Sequence, residues 1–210
     1  MHVGKINNYS YRPNFTRRLD KDEEAEYTKT LNDAKKYLGV KNLSMILHGS
    51  CYPVDTFDTG IGSPISKSAE DMLAFEKLHG FNGNQLGPMG EISRWSISPY
   101  SGTVFAKNHL FIDLKALTTD KYANILSKET FNNLLMPSEN EADGENYTYS
   151  RFFDAFENYD IAIKEAYSNF KEKAEFGDPT ALQLDKEFTE FKKQKGEQSL
   201  NEGLFQVLTH

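Results

Sequence analysis

The chain has 210 residues, a formal net charge of −7, 15 Phe, 11 Tyr, one Trp and one Cys. That length makes one domain or part of a larger one, and the acidic balance argues against a polyanionic partner such as nucleic acid. There is no leader-like apolar segment and no run near the roughly 18 apolar residues of a membrane span, and the lone Cys51 excludes an intramolecular disulfide; together these predict an acidic, soluble, cytoplasmic protein.

Met1 to Leu19 is polar and aromatic without a clear period, and reads as an arm lying over the domain. Asp20 to Leu38 predicts a helix. Acidic residues fill its first turns, Tyr27, Leu31, Ala34 and Leu38 form an apolar stripe, and Gly39 stops it; the stripe is expected to cover the first strand. Leu43-Ser44-Met45-Ile46-Leu47 predicts a buried strand that ends at His48-Gly49-Ser50. Ser68 to His79 carries Ala69, Met72, Leu73 and Leu78 at helical spacing, with Ser68 and Asp71 placed for a capping box and Gly80 as the stop. Phe81 to Leu86 predicts a second strand, so strand, helix and strand make a βα-unit with parallel strands. Such folds place their chemistry in loops at the carboxyl ends of the strands. Here those loops are His48 to Ser66 and Gly87 to Asn108.

The second half is read as mostly helical. Leu117 to Leu135 gives weak helical signals, and Pro137 to Asn146 predicts an acidic, solvated loop. Its charges, Glu139, Glu141, Asp143 and Glu145, lack calcium-loop spacing, so no metal site is assigned. Tyr147 to Glu175 predicts a long helix whose stripe of Phe152, Phe156, Ile163, Tyr167 and Phe170 belongs to the core. Leu182 to Lys193 and Leu200 to Leu208 are read as two further helices, split at Lys195-Gly196-Glu197-Gln198.

Five short segments carry a resemblance. Leu47-His48-Gly49-Ser50-Cys51-Tyr52-Pro53 resembles the Leu-His-Pro-Thr-Ser-Leu-Pro of amylomaltases, the 4-α-glucanotransferases of glycoside hydrolase family 77. Gly60-Ile61-Gly62 stands where that family has Gly-Ile-Gly-Asp, and Leu86-Gly87-Pro88-Met89-Gly90 resembles its Leu-Gly-Pro-Thr-Gly. Ser98-Pro99-Tyr100 is its Ser-Pro-Tyr, and Phe105-Ala106-Lys107-Asn108 with Leu110 to Leu114 resembles Phe-Ala-Gly-Asn and the strand-like Leu-Ile-Asp-Leu after it. Ala166-Tyr167-Ser168-Asn169-Phe170 and Gly203-Leu204-Phe205 answer later family helices more loosely. The resemblance implies an α/β fold: the amino-terminal portion of a (β/α)8 TIM-type barrel with a helix-rich carboxyl-terminal half. On that basis 1–42 would be an arm and covering helix, 43–114 a βα core with the sugar-site loops, and 115–210 a helical insertion.

The resemblance also implies transfer of α-1,4-glucan segments between maltooligosaccharides, with no metal or organic cofactor. Retaining transfer needs a nucleophilic carboxylate and a second carboxyl acting as acid and then base. In the family these lie in an Arg-x-Asp-His segment, a Glu-Asp-Leu-Gly segment and an Asp after a His, none of which occurs in these residues. No catalytic residue is therefore assigned. Glu91 and Asp113 are the carboxylates nearest the loops, and Glu91 reads more simply as a loop carboxylate than as an acid. The sugar-contacting equipment is present by resemblance. Tyr100 corresponds to a tyrosine that lies against sugar rings, Ser98 and Asn108 offer a hydroxyl and an amide, and His48 at a strand end can orient a polar partner. A longer loop, Met89 to Ile97, adds Trp95 as a further platform or lid.

The chain is thus expected to be an amylomaltase-like part with the catalytic carboxylates beyond His210, inactive alone. The alternative is a non-catalytic carbohydrate-binding or interaction module derived from that family. A cysteine hydrolase built on Cys51 with His48, His79 or His109 is the third reading, disfavoured because nothing beside Cys51 would lower its pKa. A partial barrel leaves strand edges unpaired, which predicts self-association.

Overall fold

The computed structural model describes residues 21–54, 57–136 and 150–209. The amino-terminal arm and the acidic loop of Pro137 to Asn146 lie outside those residues. The order is α1 (Lys21–Leu38), β1 (Ser44–Ile46), α2 (Lys67–Leu78), β2 (Gly83–Gln85), α3 (Lys128–Asn133), α4 (Phe152–Glu175) and α5 (Pro179–Thr209), with 3-10 turns between β2 and α3. It is a mixed, mainly helical fold with one small parallel sheet.

β1 and β2 pair in parallel through the α2 crossover, with Met45 opposite Asn84. The pairing extends slightly past both ends, since Asn82 N–H donates to the Leu43 carbonyl and Leu47 N–H to that of Gln85. Among the described residues the strand is covered on one face only, which corrects the expectation of a buried strand. Met45, Leu47 and Leu86 meet Tyr52 and the α2 residues Ala69, Met72 and Phe75, whereas Ile46 on the opposite face is 74% exposed. Alternation sends every second residue to the uncovered side, so a continuous apolar run does not by itself mean two-sided burial.

α2 starts earlier than expected. Ser66 is its cap, with extended backbone and a hydroxyl accepting from Ala69 N–H at 3.2 Å. Ser68 already lies inside the helix, so the capping box is not formed. Gly80, at φ +76°, ends it as anticipated. α1 does not cover β1. Among the described residues of α1 only the line of Tyr27, Leu31 and Lys35 is partly buried, against the end of α2: Tyr27 meets the His79 ring at 5.1 Å and Lys35 Nζ donates to the Gly80 carbonyl at 2.9 Å. Leu38, the last member of the predicted stripe, is 70% exposed.

The main core is not centred on the sheet. Leu110, Phe111, Leu114, Leu126 and Phe131 pack on the α4 face made by Ala155, Phe156, Tyr159, Ala162 and Ala166. Phe131, Leu110 and Leu126 are fully buried. Each such side chain contributes about 1.5–3 kcal/mol by leaving water. Three members of the expected α4 stripe meet this core, Phe156 within it and Phe152 and Ile163 partly buried against it, while the alanines allow close approach and Tyr167 is exposed. Gly60, at φ +105°, lets the loop after β1 lie against the start of α4, where Arg151 N–H donates to its carbonyl at 2.6 Å; a Cβ there would sit 3.0 Å from Ala155 N.

Leu110 to Leu114 is not a strand but begins in a 3-10 turn over His109–Phe111, because Asn108 caps Leu110 N–H at 3.0 Å. Leu117 to Leu135 is likewise broken. Turns over Ala116–Thr118 and Asp120–Tyr122 end where Ala123 and Asn124 take positive φ, and the short α3 follows, capped by Ser127. α5 runs unbroken where two helices were expected. Gly177 at φ +82°, Asp178 accepting from Ala181 N–H at 2.8 Å and Pro179 make the α4–α5 corner. Gly196 sits within α5 without stopping it, since one interior glycine costs only about 1 kcal/mol.

Candidate functional site

The loops after β1 and β2 are tied together at their roots by His48. Its Nδ1 accepts from Ser50 N–H at 3.3 Å and from the Ser50 hydroxyl at 2.7 Å. That leaves Nε2 carrying the proton and donating to the Pro88 carbonyl at 3.3 Å. The imidazole thus bridges the two loops and packs 6.3 Å from the Phe111 ring. Both nitrogens being engaged, it does not activate Cys51, whose exposed Sγ lies 4.0 Å from Ser50 Oγ.

The second loop closes at a narrow neck. Gly90 and Lys107 form an antiparallel bridge, Asn108 N–H donates to the Met89 carbonyl, and Glu91 pairs with both Ala106 and Thr103. Gly90 is required by contact: a Cβ there would lie 1.8 Å from the Thr103 carbonyl oxygen. Ile92 is buried beneath the loop. Beyond it the chain turns outward, and Trp95 and Tyr100 are each 85% exposed. Ser96 Oγ and Ser101 Oγ are 2.6 Å apart, and the Ser98 carbonyl accepts from Ser101 N–H at 3.1 Å and its hydroxyl at 2.9 Å, which stiffens the turn over Pro99–Ser101.

The five residues singled out in the sequence therefore fall into two groups. Trp95, Ser98 and Tyr100 share one exposed loop. His48 and Asn108 lie at its base, and Asn108 is 5% exposed with its Oδ1 occupied by the Leu110 cap. Residue-level reasoning missed the contacts of Glu91, whose Oε2 accepts from His109 N–H at 2.9 Å and Oε1 from His109 Nδ1 at 2.6 Å. Their spacing in sequence carries no signal, since only the bridge at the neck brings them together. Asp113 caps Ala116 N–H at 3.2 Å. Both carboxylates near the loops are thus engaged in internal hydrogen bonds, whereas glycosyl transfer needs two carboxyl groups facing the scissile bond.

Burial governs the ionisation of the surrounding groups. It pushes the Tyr159 hydroxyl up to about 12, with Asp113 adding to the effect, while that hydroxyl donates to the Ile112 carbonyl at 2.9 Å. Tyr52 is raised by burial and by the nearby Glu76 carboxylate. Among the described residues no group of three or more His, Cys, Asp or Glu side chains is arranged to hold a metal ion, and no helix is long and apolar enough to cross a membrane.

The family described as 4-alpha-glucanotransferase matches residues 54–210, three quarters of the chain. The comparisons with curated proteins and with solved structures gave no match.

Proposed function

The chain belongs to the 4-alpha-glucanotransferase family, glycoside hydrolase family 77, and on that premise we propose that these residues form the amino-terminal part of an amylomaltase-like barrel, which binds α-glucan without holding the catalytic carboxylates. The observation that carries the proposal is the pair of outward aromatic rings, Trp95 and Tyr100, on the loop after β2, within the matched residues. Sugar C–H faces pack on such rings, and the Tyr100 hydroxyl and Ser98 supply polar partners. His48 and Asn108 hold the base of the loop in this reading.

The partial-barrel element is supported by the sheet. Its two described strands leave both outer edges unpaired, and Ser44 and Ile46 point to a face that a closed barrel would fill. The same edges favour self-association. The single, free cysteine suits a reducing, cytoplasmic setting. The alternative reading, a stand-alone glucan-binding module, shares the binding loop and differs in having no catalytic half to join.

Catalysis separates these readings from a complete enzyme. Losing a nucleophile or acid commonly costs several orders of magnitude in rate. Incubated with maltotriose, the purified chain is expected to release no glucose above buffer while being retained on immobilised maltooligosaccharide. Robust transfer contradicts the absence of catalytic carboxylates; absence of retention contradicts the binding role.

A further inference from the structure

The loop that carries Trp95 and Tyr100 is fastened to α4 as well as to the sheet. Its first attachment is at the neck. The Glu91 carboxylate, only slightly exposed, turns inward and accepts from both the backbone N–H and the Nδ1 of His109, at 2.9 and 2.6 Å. The His109 ring in turn packs 5.7 Å from Phe156 and 6.2 Å from Tyr159, both on α4. The second attachment comes directly before Trp95. Arg94 Nη2 donates to Asp160 Oδ2 at 3.0 Å, with Glu157 at 3.9 Å, and its guanidinium lies 5.8 Å from the centre of the Phe156 ring.

Phe156 and Asp160 are four residues apart on α4, so they share one helical face. A planar guanidinium can lie over the ring while its N–H groups reach the carboxylate. Both attachments therefore converge on one turn of α4. An exposed ion pair on its own is weak. Two attachments on one rigid turn, one of them through a largely buried carboxylate, constrain the loop much more. A loop ordered beforehand loses less conformational entropy when a ligand docks on it.

We infer that Glu91, Arg94 and His109 brace the aromatic loop against Phe156 and Asp160 of α4, so that α4 sets where Trp95 and Tyr100 stand. These are positioning residues, and the inference rests on the proposed sugar role of the two rings. The platform therefore depends on residues some 60 positions downstream of the rings.

Trp95 is the sole tryptophan, so its emission reports this loop alone. Time-resolved fluorescence anisotropy of the full chain without sugar is the test. Asp160→Asn, a surface change far from Trp95 in sequence, and His109→Ala should each raise the amplitude of the sub-nanosecond component about twofold or more, with the circular dichroism spectrum unchanged. His109→Gln, whose amide can still donate to Glu91, should restore most of the wild-type amplitude. Maltoheptaose affinity of Asp160→Asn should fall roughly three- to tenfold. A fast component that stays at the wild-type amplitude in Asp160→Asn and His109→Ala overturns the brace. A loosened loop whose maltoheptaose affinity is unchanged overturns instead the sugar role of the rings and leaves the brace standing.

Discussion

Tyr159 and Asn108 show how single groups hold the structure beneath the aromatic loop. The folded-state pKa of Tyr159, about 12, lies above the ordinary 10.0, because burial disfavours the phenolate. Its contribution is therefore fully present below pH 10 and is lost as pH rises from 10 through 12, an alkaline loss of about 2–3 kcal/mol. Chemical denaturation of wild type against Tyr159→Phe should show the wild type losing more stability across that window; parallel pH profiles would contradict the assignment. Asn108→Ala removes the acceptor for buried Leu110 N–H and is expected to cost about 1–3 kcal/mol, while Asn108→Asp keeps the acceptor and loses less. Equal losses in the two variants would mean the cap is not what Asn108 supplies. At this scale the sequence was informative where a residue type forces an outcome. Gly80 was recognised as a stop because only glycine takes its φ freely. The contacts of Glu91 and His109 were not legible, since an interaction between positions 18 apart is decided by the closure of the loop neck and not by local spacing.

Helix α5 argues the same point for elements. The sequence suggested a break at Gly196, but the partly buried Gln198, Glu202 and Phe205 continue at helical spacing beyond it, and Gln198 Nε2 donates to the Phe105 carbonyl. Packing against the body thus outweighs one residue's propensity. A methyl at Gly196 would meet nothing within 4 Å, so Gly196→Ala should stabilise the chain by about 0.5–1 kcal/mol in thermal or urea unfolding. A destabilisation would show that another surface approaches the helix there. α3 gives a second case. Burial alone would raise the Glu165 pKa, but hydrogen bonds from the Thr130 hydroxyl and from Ser127 more than offset it and hold the carboxyl below its ordinary value. Stability from this group is present above the unfolded carboxylate pKa and is lost as pH falls through the lower folded value. Glu165→Gln should therefore lower stability at neutral pH and narrow its gap from wild type in acid; a constant gap would contradict the linkage. Helices with strong periodicity, α2 and α4, were recognisable in the sequence. The segment between His109 and Asn133 was not, because its turns are fixed by caps and by burial under α4 rather than by any period.

At the scale of the molecule, the parallel crossover and the two long loops after its strands were legible in the sequence. The position of the main core was not, because it joins residues 110–131 to α4 across a long separation. Among the described residues the sheet has one covered face and two open edges. Size-exclusion chromatography at rising concentration should accordingly show dimers or larger species, whereas a sharp monomer throughout would count against the partial-barrel proposal. Binding, however, is where sequence motif, loop geometry and family membership meet. The measurement that tests this most directly is a titration of maltoheptaose followed through Trp95 emission, on wild type and Tyr100→Ala. The account predicts a saturable change in the wild type with a dissociation constant around millimolar, about −4 kcal/mol, abolished in Tyr100→Ala with the fold intact. No saturable change in the wild type, or the same titration curve in both proteins, would contradict it.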